Sequence, residues 1–242
     1  MTALTYLQFH ALLVVPALVG LALTVRYRLG SRRTVLGGTA LLSGLALVYT
    51  TPWDAYLVAR GAWRYGDGTV LVRFLGVPLG EYLFFVLQPL GVGLWVARFG
   101  VDTTPPLRTP LPSRALGALA AGAVAAAGIA LLGAPSGLYL GSLLAWSAPI
   151  LAIQWAFGWP FLAREWRVVA VGTLVPTLYL WLVDRLAIRL GIWTLSDELT
   201  TGVVVPLLGL PIEEAVFFLL TSLFVVQGLV LYAWLVDRWG DR

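Results

Sequence analysis

The 242-residue sequence is 60% hydrophobic and only 12% charged, whereas soluble domains run at about half apolar and about a quarter charged. The surplus apolar surface has to face something other than water. Cysteine is absent, which excludes disulfides, thiolate metal sites and cysteine nucleophiles. The single histidine, His10, leaves no His-rich metal site and no conventional Ser-His-Asp triad, so no metal is expected. The net charge of +4 is carried by arginine alone. Because the arginines sit in short loops, we read them as setting topology, with no nucleic-acid partner.

From the N-terminus, residues Met1 to Thr5 lack the basic start of a signal peptide. The apolar run from Tyr6 to Val25 is long enough to span a membrane instead. Membrane spans are expected at about 5–26, 35–58, 78–98, 114–133, 138–160, 167–190 and 203–235. Prolines in or near these runs are tolerated, because neighbouring groups in a bundle satisfy the freed carbonyls. Asp102 to Ser113 (DTTPPLRTPLPS) reads as an extended linker that its prolines keep from helix. The helix after it carries Ala118, Gly122 and Ala126 four apart, a small-residue stripe expected to pack closely against a neighbour.

Arginine asymmetry sets the direction. Arg26, Arg28, Arg32, Arg33, Arg98, Arg108, Arg114, Arg164, Arg167, Arg238 and Arg242 fall on one side, and Arg60, Arg64, Arg73, Arg185 and Arg189 on the other. The richer side is expected to be cytoplasmic. This predicts a cell-membrane, multi-pass protein with its N-terminus outside and its C-terminus cytoplasmic.

Three segments recur in order. Tyr6-Leu7 before Pro16 matches Tyr139-Leu140 before Pro149. Asp54 followed by Gly61-x-Trp63 matches Asp184 followed by Gly191-x-Trp193. Pro78-Leu79-Gly80-Glu81-x-x-Phe84-Phe85 matches Pro211-Ile212-Glu213-Glu214-x-x-Phe217-Phe218. The collinear matches point to a duplication. The expected fold is an all-α polytopic membrane protein of about seven helices, in two parallel three-helix repeats joined by a linker helix. Residues 1–100 form the first repeat, 101–136 the linker with its connecting span, and 137–242 the second repeat. Parallel repeats place matched residues at one depth, so Asp54, Asp184, Glu81 and Glu214 are expected to converge in the outer half of the bundle.

Glu81, Phe84, Phe85 and Gln88 share one helix face, and Glu214, Phe217, Phe218 and Thr221 repeat the spacing. A carboxyl held away from water can remain a neutral acid, and a ring face attracts cations. The combination suits chemistry that protonates an apolar substrate and passes through a carbocation. The structural alternative is a glutamate favoured by the dipole of a helix's first turn. Glu213 has no partner in the first half, where Gly80 stands. Asp54 and Asp184 read equally well as second acid-base groups or as ion-pair partners of nearby arginines. Trp53, Tyr56, Trp63, Trp181 and Trp193 suit either a pocket lining or an interfacial aromatic belt. His10 reads as a hydrogen-bonded polar residue within the bundle, and Asp197-Glu198 as a solvated outer loop.

Several classes are excluded. There is no dinucleotide-binding Gly-x-Gly-x-x-Gly after a strand and no Walker loop. The only Asp-x-x-x-Asp, Asp237 to Asp241, lies in the terminal tail, which argues against an Asp-rich, magnesium-dependent prenyltransferase. Without lysine there is no retinal Schiff base.

Thr50-Thr51-Pro52-Trp53-Asp54, Pro78-Leu79-Gly80-Glu81-Tyr82-Leu83-Phe84-Phe85 and Pro211-Ile212-Glu213-Glu214-Ala215-Val216-Phe217-Phe218 together resemble the membrane-integral lycopene β-cyclase family. The resemblance is to its duplicated domain, of the fused heterodimer type, and covers nearly the whole chain. It implies an isomerase of carotenoid biosynthesis that closes the ψ-ends of lycopene to β-ionone rings, giving β-carotene. On that reading Glu81 and Glu214, with Glu213, are the acid-base carboxylates, and Asp54 and Asp184 support or share that role. Phe84, Phe85, Phe217 and Phe218 would flank the cation, with Trp53, Tyr56, Trp63 and Trp193 beside the substrate. No cofactor is expected, and the partners are membrane-dissolved carotenoid and the bilayer. The alternatives are a cyclase of a C50 carotenoid or a proton-coupled transporter. Homo-oligomerisation and association with other carotenoid enzymes stay open.

Overall fold

The computed structural model describes residues 4–240; Met1 to Ala3, part of the signal-peptide reading, and Asp241 and Arg242 lie outside them. Seven described helices are long and apolar enough to cross a membrane, so the chain is an all-α, multi-pass membrane protein. They are α1 (Tyr6–Thr24), α2 (Arg32–Arg60), α3 (Leu79–Val96), α4 (Leu111–Leu131), α5 (Leu138–Arg164), α6 (Trp166–Arg189) and α7 (Ile212–Gly240).

Local chemistry sets the helix ends. Thr5 opens α1 with a capping box, its hydroxyl accepting from the Gln8 amide while Gln8 Oε1 accepts from the Thr5 amide. α1 then loosens into a π-helical stretch, His10–Val14, ahead of Pro16. Helices α2 and α6 stop at Gly61 and Gly191, at φ 74° and 69°. In each case the glycine amide and the next one return to carbonyls of the last turn. That left-handed closure is cheap only for glycine.

The two turned-out chains then meet. Strand β1 (Trp63–Tyr65) pairs antiparallel with β4 (Trp193–Leu195), Trp63 opposite Leu195 and Tyr65 opposite Trp193. A short hairpin of β2 (Arg73–Phe74) and β3 (Val77–Pro78) leads into α3. These small ribbons were not expected from a helical pattern, since three residues are too few to show a period.

The last span begins later than expected. Residues 203–211 form an extended turn, with a bridge between Val204 and Pro211 and the Val205 amide on the Leu210 carbonyl. The apolar run is continuous there, so hydropathy cannot separate turn from helix. Pro206 and Pro211 decide it, because neither can continue a helical ladder from within.

The linker is extended from Asp102 to Pro110, as expected, and is pinned to the bundle, whereas Leu111, Pro112 and Ser113 open α4, because a proline fits the first turn of a helix. Asp102 accepts from the Thr104 hydroxyl and amide and pairs with Arg164; these hydrogen bonds, foremost the Thr104 hydroxyl, lower its pKa. The Trp234 indole donates to the Pro105 carbonyl at 2.8 Å. At this end of the bundle lies the largest apolar cluster, where Phe161 stacks on Trp234 at 4.3 Å.

Helix α4 packs chiefly on α5, but not through the expected stripe. Ala118, Gly122 and Ala126 are exposed, and the buried face is Gly117, Ala121 and Gly128. A Cβ on Gly128 would meet the Ala145 nitrogen at 2.6 Å, whereas one on Gly122 meets nothing within 4 Å. Two small-residue stripes share this helix, and composition does not say which one is covered. Gly128→Leu is therefore expected to lower the thermal unfolding midpoint in detergent, with a cost of about 1–3 kcal/mol typical of overpacking. Gly122→Leu is expected to leave the midpoint in place.

Candidate functional site

Under the β1–β4 ribbon lies a chamber of about 60 Å³ lined by Asp54, Glu81, Asp184 and Glu214. Asp54 and Asp184 come from the turns before the last of α2 and α6, Glu81 and Glu214 from the first turns of α3 and α7. Asp54, Asp184 and Glu214 are buried, and Glu81 is partly buried. No arginine lines the chamber. Neither aspartate forms an ion pair among the described residues, and Arg185 turns instead to the Leu208 carbonyl at 3.0 Å. The ion-pair reading of the aspartates thus finds no partner here. Four carboxyls close together in an apolar surrounding, without a cation, cannot all be charged at once.

Each glutamate has a tyrosine. Tyr139 on α5 donates to Glu214 Oε1 at 3.0 Å. Tyr65 on β1 donates to Glu81 Oε1 at 2.8 Å and itself accepts from the Trp63 indole at 2.9 Å. Tyr6, the repeat match of Tyr139, also faces Glu81. Burial, with the neighbouring Glu81 and Asp54 charges, raises the Tyr65 hydroxyl well above the ordinary phenol range, which keeps it a proton donor. Asp184 has the Trp193 side chain facing it, yet neither of its oxygens forms a full hydrogen bond, and Asp54 Oδ2 is likewise unpaired.

Aromatic rings wall the chamber. Phe84 meets Phe218 edge-on at 5.8 Å, and Phe217 meets Phe218 edge-on at 5.2 Å. Phe217 also stacks with Trp53 at 5.9 Å. Phe85, Trp63, Trp193, Phe9 and Tyr6 also line it. Facing rings offer negative π surfaces to any positive charge between them. His10 also lines the chamber; its Nε2 bonds the Gly80 carbonyl at 3.0 Å while Nδ1 has no partner. The π-helical stretch begins at His10, and such stretches often re-aim side chains at functional sites.

Most of the residues singled out in the sequence thus share one chamber, but Tyr56, Glu213 and Trp181 do not. Tyr56 is 45% exposed on the outer surface of α2 and accepts from Arg60. It lies two residues past Asp54, about 200° around the helix from it. Glu213 is fully buried away from the chamber, its Oε1 accepting from the Thr201 amide at 2.7 Å and hydroxyl at 2.8 Å. Through Oε1 it holds the segment that precedes α7, while its Oε2 is buried without a hydrogen-bond partner. Trp181 also stays outside the chamber, its indole on the Ala215 carbonyl. Asp197 and Glu198 are exposed, as expected. Sequence reasoning missed Tyr65, which no motif marks, and the roles of Tyr6 and Tyr139, which the repeat had already matched.

Gly80, opposite Glu213 in the repeat, has a steric reason. A Cβ there would lie 2.2 Å from the Tyr6 ring. Ala normally improves a helix over Gly by about 1 kcal/mol. Here Gly80→Ala is expected to lower the unfolding midpoint, at about 1–3 kcal/mol. A raised midpoint in a detergent melt would show that Tyr6 yields freely.

Carboxyls gathered inside a membrane bundle define an intramembrane carboxylate site, and in lipid such groups mark function by default. The chain is 47% identical over 235 residues to the lycopene beta-cyclase of Halobacterium salinarum, covering 97% of this chain and 98% of that one. It is 33% identical over 231 residues to the bifunctional lycopene cyclase/phytoene synthase of Gibberella fujikuroi, covering 93% of this chain and 39% of that protein. A bifunctional protein of the same name from Arthroderma gypseum is 34% identical over 250 residues. The chain belongs to the lycopene cyclase family. No protein-family model matches it, and no solved structure does.

Proposed function

We propose that this protein is a lycopene β-cyclase, an isomerase of carotenoid biosynthesis that converts the ψ-ends of lycopene to β-ionone rings. The observation that carries the reading is the meeting of Glu81 and Glu214, each with its tyrosine, inside a chamber walled by phenylalanines and tryptophans. The 47% identity over nearly the full length supports it.

One glutamic acid protonates the terminal double bond of the polyene. The resulting cation is attacked by the next double bond in reach, closing a six-membered ring and moving the charge onto a ring carbon. A carboxylate then removes a proton from the neighbouring carbon, forming the ring double bond. One proton enters and one leaves, so substrate and product are isomers, and the step needs no oxidant or reductant. Glu81 and Glu214 serve as acid and base, with Asp54 and Asp184 close enough to share the proton. Phe84, Phe217 and Phe218 stabilise the cation through their ring faces. Tyr65 and Tyr139 orient the glutamates. Glu213 has a structural part and does not touch the reacting atoms.

The two halves, 1–100 and 137–242, descend from one duplicated unit, with 101–136 as connector. The excess of arginine on one side puts the C-terminus in the cytoplasm and the N-terminus outside. The chamber then lies in the outer half of a cell membrane, and substrate and product stay dissolved in the bilayer.

Glu81→Gln and Glu214→Gln, expressed in cells that accumulate lycopene, are each expected to lower cyclised carotene by about 10²-fold or more, the usual worth of a placed acid or base. Pigment extraction and chromatography read the result. Wild-type amounts of ring product from both variants would remove these glutamates from the mechanism.

A further inference from the structure

The carboxylate chamber is small. Its 60 Å³ lies far below the roughly 300–1,000 Å³ of ordinary ligand pockets. A carotenoid end group has to displace the rings at its edge, and the rest of the molecule needs another place.

Such a place adjoins it. A groove of about 480 Å³ runs between α2, α5 and α7, and Phe84, Phe85 and Phe217 belong to both spaces. Along α7 it extends from Phe217 to Leu235, eighteen residues or roughly 27 Å at about 1.5 Å per residue. Its outer rim is open to lipid, with Ile153 72% exposed. Across its mouth Tyr49 donates to the Trp146 carbonyl at 2.9 Å, and the Trp146 indole donates to the Tyr49 carbonyl at 3.4 Å. Trp146 also stacks on Trp53 at 4.9 Å. A continuous row of rings therefore leads from the lipid-facing rim to the carboxyls.

A second groove, between α1, α3 and α6, provides the comparison. It is closed by Tyr179, which donates to the Leu13 carbonyl at 2.6 Å. It measures about 390 Å³ and meets the chamber at Val14 and Leu180, with no shared ring. Along α3 it runs only from Leu87 to Trp95, roughly 12 Å at about 1.5 Å per residue. A conjugated polyene is a stiff apolar rod, and the first groove is the one with the length for it.

We infer that the groove between α2, α5 and α7 holds the polyene chain of the substrate, admitted sideways from the bilayer past the Tyr49–Trp146 pair, while its end group reaches the carboxyls. This rests on the cyclase reading for the identity of the rod. Two variants separate the grooves. Ala46→Trp fills the long one and Ala17→Trp the short one, and neither residue lines the chamber. Ring product is measured in lycopene-accumulating cells. Lycopene retained on the protein purified from those cells is read by its absorbance, which needs no turnover.

Ala46→Trp is expected to lower both readouts by about tenfold or more, the scale on which misplaced substrates lose rate, and Ala17→Trp to change neither. Wild-type behaviour of Ala46→Trp, or equal losses in the two variants, overturns the groove. If wild-type protein retains lycopene but forms no ring, the cyclase reading fails, and retention by the two variants still decides the groove. Should Ala46→Trp not reach the membrane, Ile153→Trp on the exposed rim replaces it.

Discussion

Four carboxyls share one small apolar space whose lining holds no arginine, His10 being its one basic side chain. Burying even one unpaired carboxylate is costly, so the surrounding structure has to manage charge without a counter-ion. It does so with neutral donors and with geometry. Tyr65 and Tyr139 supply hydroxyls to the two glutamates. The glycine-ended helices α2 and α6 turn their chains over the top, where β1 and β4 pair and cover the space from above. The opposite end is closed by the Phe161–Trp234 cluster and the pinned linker. The fold thus places packed structure at both ends of the bundle.

The two halves are matched in backbone but not in chemistry. Gly76 and Gly209, two residues before the matched prolines Pro78 and Pro211, both adopt positive φ, at 84° and 66°. Yet Tyr65 on β1 stands where the second half has Leu195, so Glu81 gains a donor that Glu214 lacks. Gly80 yields its space to the Tyr6 ring, whereas Glu213 holds down a loop. The chamber therefore presents its two glutamates in unequal surroundings.

The spans and the shared chamber were largely legible because their signals repeat. Twenty-residue apolar runs, glycines before tryptophans, and glutamates one turn before paired phenylalanines each occur twice in register. What was not legible depends on which face is covered. The stripe of Ala118, Gly122 and Ala126 is as small as the stripe of Gly117, Ala121 and Gly128, and only contact with α5 separates them. Tyr56 and Glu213 belong to motifs that reach the chamber, but the helix turns both away from it. Residues 203–211 are as apolar as a span, yet two prolines and a bridge keep them out of the last helix. Tyr65 enters through strand pairing with a residue more than a hundred positions distant, a relation that no local pattern encodes.

The ribbon of β1 and β4 carries a consequence for how such a protein can be divided. Each strand is donated by a different half, and neither has another strand to pair with among the described residues. Severed within the connector, the two fragments would each display an open row of backbone donors and acceptors above a half-built cavity. An open edge of that kind seeks a complementary strand, and the sister fragment carries one in the right register. Reassembly of separate polypeptides into a working whole is therefore inscribed in a ladder only three residues long.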